Sequence, residues 1–370
     1  MKRVKRWKIW CASVARKSPL IEYLAGEVLS GQLTGEDWSL MFSEARQAGL
    51  LSRLSSSLRQ SGETETQLPK RLRNHVLAAS IQSDAFQLDV GRELGHIQHA
   101  LSEFPAPVVL LKGASYVLLG LPASTGRIFS DIDILVPKQH IALAEASLML
   151  GGWSIGELEP YDQRYYREWS HEIPPMTHLR RSTTIDLHHS LVMPTCRVRV
   201  DSEKMVRDAV SVDANGFWWR LKDEDMLLHA ASHLMLNSVF DRGLRDVWDI
   251  DLLFRHFVSG STSFPDRLLE RSAEVGLGKI IRQALFLAKR SFGTPVPDQL
   301  LPSKQSLFLR LVACAASARH PDTRSNWQEI SDALLIYREM YLRLPNQLLA
   351  VHLAHKASSL FKRKEEKTAV

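Results

Sequence analysis

Two acidic residues lie one residue apart in a short apolar segment of this 370-residue chain. Asp131 and Asp133 alternate with isoleucines in the sequence DIDILV. Successive side chains point to opposite faces of a strand, so both acids would point the same way. Neighbouring like charges repel, and each loses hydration where it is buried. A divalent cation relieves this repulsion, and Mg²⁺ usually binds one or two carboxylates together with substrate phosphates. The pair therefore predicts a magnesium site.

The segment before this pair predicts a phosphate-binding turn. An apolar run at residues 108–111, bounded by proline and glycine, is typical of a buried strand. The turn at Gly113 would let backbone N–H groups approach phosphate oxygens, and the start of the short helix that follows favours an anion. Lys112 and Ser115 would add a cation and a hydroxyl. The alternative for Lys112 is a side chain that only extends from a strand end into water.

Together, the motifs LLKGAS, GRIFSDIDILVP and TIDLHHSL resemble the polymerase-beta-like nucleotidyltransferase superfamily. Within it they are similar to a bacterial group that reads LKGA, R, DxD and LH in this order, over residues 75–255. The resemblance implies three metal-binding carboxylates, with Asp186 as the third beside Asp131 and Asp133. It further implies two Mg²⁺ ions, with Mn²⁺ as the alternative ion. Asp186 would help to take a proton from the acceptor.

The same resemblance implies a reaction in which an NTP such as ATP gives its NMP to a hydroxyl or phosphate of an acceptor, and pyrophosphate leaves. Arg127 occupies the arginine position of the bacterial group and would bind phosphate with Lys112, Gly113 and Ser115; the alternative is a pair between Arg127 and an acid in its own loop. The acceptor would be a small molecule or a protein. A second hypothesis is a non-catalytic relative that binds a nucleotide or a protein partner.

Three histidines are candidates for the acceptor pocket. His188 shares a strand face with Asp186, where it would orient the acceptor. His229 and His233 are four residues apart and share a helix face with Asp225. For this helical pair the sequence leaves three roles open: the wall of the substrate pocket, structural hydrogen bonding or a zinc site.

The acids also predict an effect on stability. If the three carboxylates crowd one pocket, their repulsion is unrelieved without metal. We therefore expect Asp133→Asn to raise the melting temperature of the metal-free protein.

Charge and composition limit the partners. The net charge is +6, but residues 1–17 carry +7 and residues 356–370 carry +3, which leaves −4 for residues 18–355. A nucleic-acid acceptor is not expected, since duplex binding needs clustered Lys and Arg. Three distant cysteines argue against a disulfide framework. The sequence predicts no signal peptide, no transmembrane segment and a cytoplasmic location, and it indicates no oligomeric state.

The predicted fold class is α+β, with a small mixed sheet flanked by an N-terminal helical region and a helical C-terminal region. The expected divisions are residues 1–105, 106–220 and 221–370. Residues 159–170 are polar and rich in tyrosine, and they predict a surface loop. Helical patterns continue from residue 223, and the last predicts one helix over residues 329–361.

Overall fold

The computed structural model describes residues 17–60, 68–212, 216–236 and 240–353. Most of the basic N-terminal segment and the C-terminal tail lie outside the described residues. The first described part is helical. Thr34 caps the N-terminus of helix α2 (Gly35–Gln47): its side chain accepts a hydrogen bond from the Asp37 amide, and the Asp37 side chain accepts one from the Thr34 amide. The first four helices are α1 (Pro19–Leu24), α2 (Gly35–Gln47), α3 (Leu51–Gln60) and α4 (Lys70–Ala100).

A seven-stranded mixed sheet follows, in the order β3-β4-β5-β2-β1-β7-β6. Its strands are β1 (Val108–Leu110), β2 (Asp131–Leu135), β3 (Trp153–Ile155), β4 (Met176–His178), β5 (Thr184–His188), β6 (Val210–Ser211) and β7 (Trp218–Arg220). Strand β2 is antiparallel to β1 and parallel to β5. The helices between the strands are α5 (Lys112–Leu118), α6 (Ile141–Leu150), α7 (Pro160–Arg164) and α8 (Ser202–Arg207). The predicted α+β fold with a small mixed sheet is confirmed.

The two faces of the sheet have different environments. Ile132, Ile134 and Leu187 pack in a cluster with residues of α4 and α6. The opposite face carries Asp133 and His188, together with apolar residues that pack against the C-terminal helices. The alternation of β2 and β5 therefore gives one apolar face and one face that carries the acids.

The C-terminal helices cover the face that carries the acids. They are α9 (Asp223–Leu236), α10 (Gly243–Gly260), α11 (Phe264–Glu274), α12 (Gly278–Phe292), α13 (Leu307–Ala315) and α14 (Gln328–Arg343). One hydrophobic cluster includes residues of α2, β1, α9, α10 and α12. It crosses both expected domain limits, which stay a prediction. No described helix is both long enough and apolar enough to span a lipid bilayer.

Two predictions of local structure were wrong. Residues 159–170 are not a loop but form α7 and one turn of π-helix (Tyr165–Trp169), because Pro160 is suited to a first helical position and Trp169 is buried. The predicted helix over residues 329–361 is interrupted: Leu344 is extended, because the following proline disfavours helical geometry.

A buried ion cluster joins the three parts of the chain. Asp249 on α10 accepts hydrogen bonds from Arg53 on α3 and from Arg127 in the loop before β2. The Arg53 guanidinium also lies over the Trp248 ring, 4.4 Å from its centroid. Gly126 lets the loop approach, because a Cβ there would lie 2.5 Å from the Arg53 Cα. We call Arg53, Arg127 and Asp249 the inter-region ion cluster.

Removing the acid of this cluster should destabilise the whole protein. We expect Asp249→Ala to lower the free energy of unfolding by about 3–5 kcal/mol, because two buried guanidinium groups lose their shared counter-ion. Urea unfolding followed by circular dichroism measures the change. Asp298→Ala is the control, since that side chain is fully exposed and 3.9 Å from Lys289. Equal stability of the two variants would contradict the structural role of the cluster.

Candidate functional site

The central group of the site is Asp133, which is buried on β2. Its Oδ1 atom accepts hydrogen bonds from Lys112 Nζ and from His188 Nε2, both at 2.9 Å. Burial alone would raise the pKa of Asp133, but Lys112 and His188 overcome this effect and hold the pKa well below its usual range. Burial alone would also lower the pKa of Lys112, and Asp133 raises it instead. Both groups of this pair are therefore charged at neutral pH.

Asp186 differs from Asp133 although the two residues are paired across the parallel strands β2 and β5. Within the described residues, no hydrogen bond or ion pair involves its carboxylate. Burial raises the pKa of Asp186 to about 7, and the negative charges of Asp133, Glu172 and Asp131 add to this effect. The structure therefore brings the three predicted carboxylates together, and Glu172 joins them as a fourth.

The turn after β1 positions Lys112 rather than leaving it in water. Lys112 has φ of 44°, in the left-handed region that L-residues other than Asn and Asp seldom adopt. Such a conformation costs on the order of 1–3 kcal/mol and persists where the surroundings enforce it. Here the ion pair with Asp133 fixes the side chain. The simple alternative of a lysine extending from a strand end is wrong.

The other turn residues have a structural role in the described chain. Gly113 is required by a close approach, because a Cβ there would lie 2.6 Å from the Phe129 ring. It also lines the first of two cavities beside the acids. Ser115 is buried inside α5, and its hydroxyl has no hydrogen-bond partner among the described residues. Ser115 lines neither cavity, so the structure does not bring it together with the other site residues.

The first cavity is lined by charged side chains of both signs and has a volume of about 150 Å³. Arg127 lines it and is paired with an acid, but that acid is Asp249 on α10 and not the acid in its own loop that the alternative expects. Four cationic side chains line this cavity, together with four aspartates: Lys112, Arg127, Arg242 and Arg245, and Asp131, Asp133, Asp246 and Asp249.

The second cavity lies on the other side of the acids and has a volume of about 250 Å³. Asp186, His229 and His233 line it, and an apolar wall is formed by Leu191, Val192, Met193 and Leu236. Burial holds the pKa of His229 and of His233 well below the usual range. The two cavities share Lys112, Asp131 and His233 as lining residues. Asp131 therefore lies where the two cavities meet.

Asp225, His229 and His233, which the sequence places on one face of α9, have different surroundings in the structure. Asp225 accepts two hydrogen bonds from Arg271 on α11, at 2.7 and 2.8 Å. Its partner thus lies away from the sheet, while His229 and His233 line the second cavity. A zinc site that includes all three residues of this face is not formed.

Sequence reasoning missed two residues beside the acids. His171 and Glu172 follow the π-helical turn and line the second cavity. The Oε2 atom of Glu172 lies 3.4 Å from His188 Nδ1. The only local signal was a His-Glu pair after a segment predicted to be a loop, and such a pair is too common to identify a site.

The carboxylates fit a divalent cation. Asp131 and Asp186 have no side-chain hydrogen bond or ion pair within the described ranges, and Asp133 accepts its hydrogen bonds from Lys112 and His188 through Oδ1. Burial is the main cause of the raised pKa of Asp186, and the neighbouring acids add to it, so a cation beside this group would stabilise its charged form. Oxygen ligands of this kind are those that Mg²⁺ and Mn²⁺ prefer.

Comparison with known proteins identifies the family. A family model described as uncharacterised nucleotidyltransferase matches residues 34–293. No curated protein and no solved structure matches the chain. The match includes the turn after β1, both acidic strands and helices α9 and α10. It covers well over half of the sequence, and the chain therefore belongs to this nucleotidyltransferase family.

Proposed function

We propose that the protein transfers an NMP from an NTP, such as ATP, to a hydroxyl or phosphate of a small-molecule or protein acceptor and releases pyrophosphate. One observation carries the proposal: Asp131 lines two adjoining cavities, Asp133 lines the one that carries four cationic side chains, and Asp186 lines the one with a partly apolar wall. A transferase needs two substrates on opposite sides of its reacting centre. A protein that only binds a nucleotide needs a single cavity.

The cationic side chains of the first cavity suit the triphosphate. Arg242 would meet phosphate oxygens, and guanidinium groups match their geometry with two parallel hydrogen bonds. Lys112 and Arg245 would add positive charge while they remain paired with Asp133 and Asp246. Arg127 shares Asp249 with Arg53, so it would keep the cavity wall in place and lend positive charge to it. In this proposal Gly113 contributes to the cavity wall, while Ser115 supports α5 from within.

The second cavity suits the acceptor. Asp186 lines it, and a carboxylate with a pKa of about 7 can accept a proton from an acceptor hydroxyl near neutral pH. His229 and His233 would be neutral there and could hydrogen-bond the acceptor. The Nε2 atom of His188 is hydrogen-bonded to Asp133, so His188 would orient that acid rather than contact the acceptor.

Two Mg²⁺ ions, or Mn²⁺ in their place, would be held by Asp131, Asp133 and Asp186. When bound, such ions lower the pKa of the attacking hydroxyl and neutralise charge on the phosphates. The contribution of the chain is to fix the ligands: Lys112 and His188 hold Asp133 through one oxygen. Asp131, between the two cavities, is the ligand best suited to reach both substrates.

A non-catalytic nucleotide-binding or partner-binding relative is the second candidate. One observation favours it: the charge of Asp133 is already balanced by Lys112, as in a fold that does without metal. Release of pyrophosphate from an NTP, dependent on Mg²⁺, separates the two functions. We further infer that the acceptor is not a nucleic acid, since the body of the chain carries −4 between the basic termini. A cytoplasmic location agrees with the buried free thiol of Cys196.

Loss of the Asp131 carboxylate, which lies where the two cavities meet, should strongly reduce transfer while the fold persists. We expect Asp131→Asn to lower Mg²⁺-dependent pyrophosphate release by about 10²–10³-fold or more, comparable with the loss of one group that stabilises the transition state. The assay is the release of labelled pyrophosphate from each of the four NTPs in the presence of cell extract. The control is Asp298→Asn, an exposed acid remote from both cavities. Near-normal turnover of Asp131→Asn would contradict the metal-ligand assignment.

The titration of Asp186 predicts a pH-dependent stability effect. An unfolded aspartate has a pKa of about 3.9, whereas folding raises the pKa of Asp186 to about 7. Between these values the folded state binds more protons, so the stabilising contribution of this group is lost as pH rises towards 7. In EDTA, Asp186→Asn should therefore raise the melting temperature relative to wild type more at pH 8 than at pH 5.

The matched comparison is Asp133→Asn. The sequence led us to expect a higher melting temperature for this variant, and the structure leads us to expect a lower one. Asp133 is stabilised by Lys112 and His188, so its replacement leaves buried donors without their charge partner and should lower the melting temperature at both pH values. Differential scanning calorimetry measures both variants. A melting-temperature difference for Asp186→Asn that is the same at pH 5 and pH 8 would mean that this acid does not titrate near 7.

A further inference from the structure

The segment at residues 171–173 lies against the end of strand β5. Glu172 and His188 form an isolated antiparallel bridge. The Ile173 amide donates to the Leu187 carbonyl at 3.1 Å, and the His189 amide donates to the His171 carbonyl at 2.9 Å. These backbone hydrogen bonds hold the side chains of His171 and Glu172 beside His188. The arrangement is therefore built by main-chain pairing and does not depend on flexible side chains meeting by chance.

His188 presents a buried lone pair to this segment. Its residue exposure is only 1%, and its Nε2 atom is bonded to an ionised carboxylate, that of Asp133, which can only accept. Nε2 therefore carries the hydrogen, and in the neutral imidazole Nδ1 carries a lone pair. Within the described residues Nδ1 has no hydrogen bond, yet it lies 3.4 Å from Glu172 Oε2. In that form two electron-rich atoms face each other, one buried and one half-buried, and a cation between them would relieve their repulsion.

A third ligand completes the group. His171 Nε2 lies 3.7 Å from the same Glu172 oxygen. One ligand atom from each of His171, Glu172 and His188 lies within 4.8 Å of the others. We propose that these three side chains bind a divalent transition-metal ion of the zinc class. We call the group the His-Glu-His site.

The chemistry of the donors favours such an ion over magnesium. Imidazole nitrogens suit Zn²⁺, Co²⁺ and related ions, whereas Mg²⁺ prefers oxygen alone. The bond from His188 Nε2 to Asp133 is the carboxylate–histidine pairing that orients most metal-binding histidines. Lys112 holds Asp133 from the other side. The arrangement thus includes the supporting contact that a bare cluster of histidines lacks.

Three protein ligands leave one position of a tetrahedral ion open. His171 and Glu172 line the second cavity, so a bound ion would lie at the wall of that cavity and could hold an oxygen or nitrogen of whatever occupies it. This inference goes beyond the proposed transfer, because a metal could bind here whether or not the protein moves an NMP. Its test therefore uses metal binding alone.

Titration of the full chain with Co²⁺, after removal of metals by chelator, gives the direct readout. We expect one equivalent to bind with the visible absorption of a low-coordinate cobalt site, and Zn²⁺ to displace it while Mg²⁺ in large excess does not. Glu172→Gln and His171→Ala should each weaken binding by at least about 10–100-fold, the range that changes in supporting contacts alone already reach. Circular dichroism confirms that both variants are folded.

Two controls separate this site from its neighbours. His189→Ala removes an adjacent imidazole that is not in the group and should leave Co²⁺ binding unchanged. Asp131→Asn disables the carboxylate site of the proposed transfer but should also leave Co²⁺ binding unchanged. The proposal is overturned if wild type binds no Co²⁺, if Mg²⁺ competes at similar concentration, or if Asp131→Asn abolishes binding while Glu172→Gln retains it. Failure of nucleotidyl transfer alone has no bearing on these outcomes.

Discussion

The site depends on keeping one buried carboxylate ionised. Asp133 has lost most of its contact with water, and burial by itself would favour the neutral acid. The ammonium of Lys112 and the imidazole of His188, both at 2.9 Å, reverse this preference. Each donor is in turn fixed by its own element: Lys112 by a left-handed turn and His188 by strand β5. The strain of the turn at Lys112 is therefore part of the energetic cost of keeping Asp133 ionised in the middle of the sheet.

A permanent anion at Asp133 determines the state of its neighbours. Asp186 stands beside it in the parallel register and has no cation of its own within the described residues. Burial and three neighbouring acids raise its pKa to about 7. Two aspartates on adjacent strands thus differ in their environment: one is held ionised by two partners, and the pKa of the other is raised by burial and by neighbouring acids. Environment alone can separate the pKa values of two carboxylates in this way.

The local parts of this site could be predicted from sequence, whereas its long-range pairs could not. The period-two alternation of β2 and β5 gave the acids and their common face, because side-chain direction in a strand is a local property. The partners of Asp249 and Glu172 had no such signal. Arg53 lies 196 residues from Asp249, and Glu172 meets His188 only because the chain returns antiparallel to β5. Tertiary packing also changed the meaning of Gly113, which makes room for Phe129.

The C-terminal helices are part of the site rather than an addition to it. Helix α9 supplies His229 and His233 to the second cavity, and α10 supplies Arg245, Asp246 and Asp249 to the first. Asp249 also connects α10 to α3 through Arg53, so the first cavity forms only when regions before and after the sheet meet. The carboxylates come from the sheet, but the two cavities beside them are closed by helices on both sides of it in sequence. Substitutions in α9 and α10 would therefore change the walls of the two cavities while the acids on β2 and β5 stay in register.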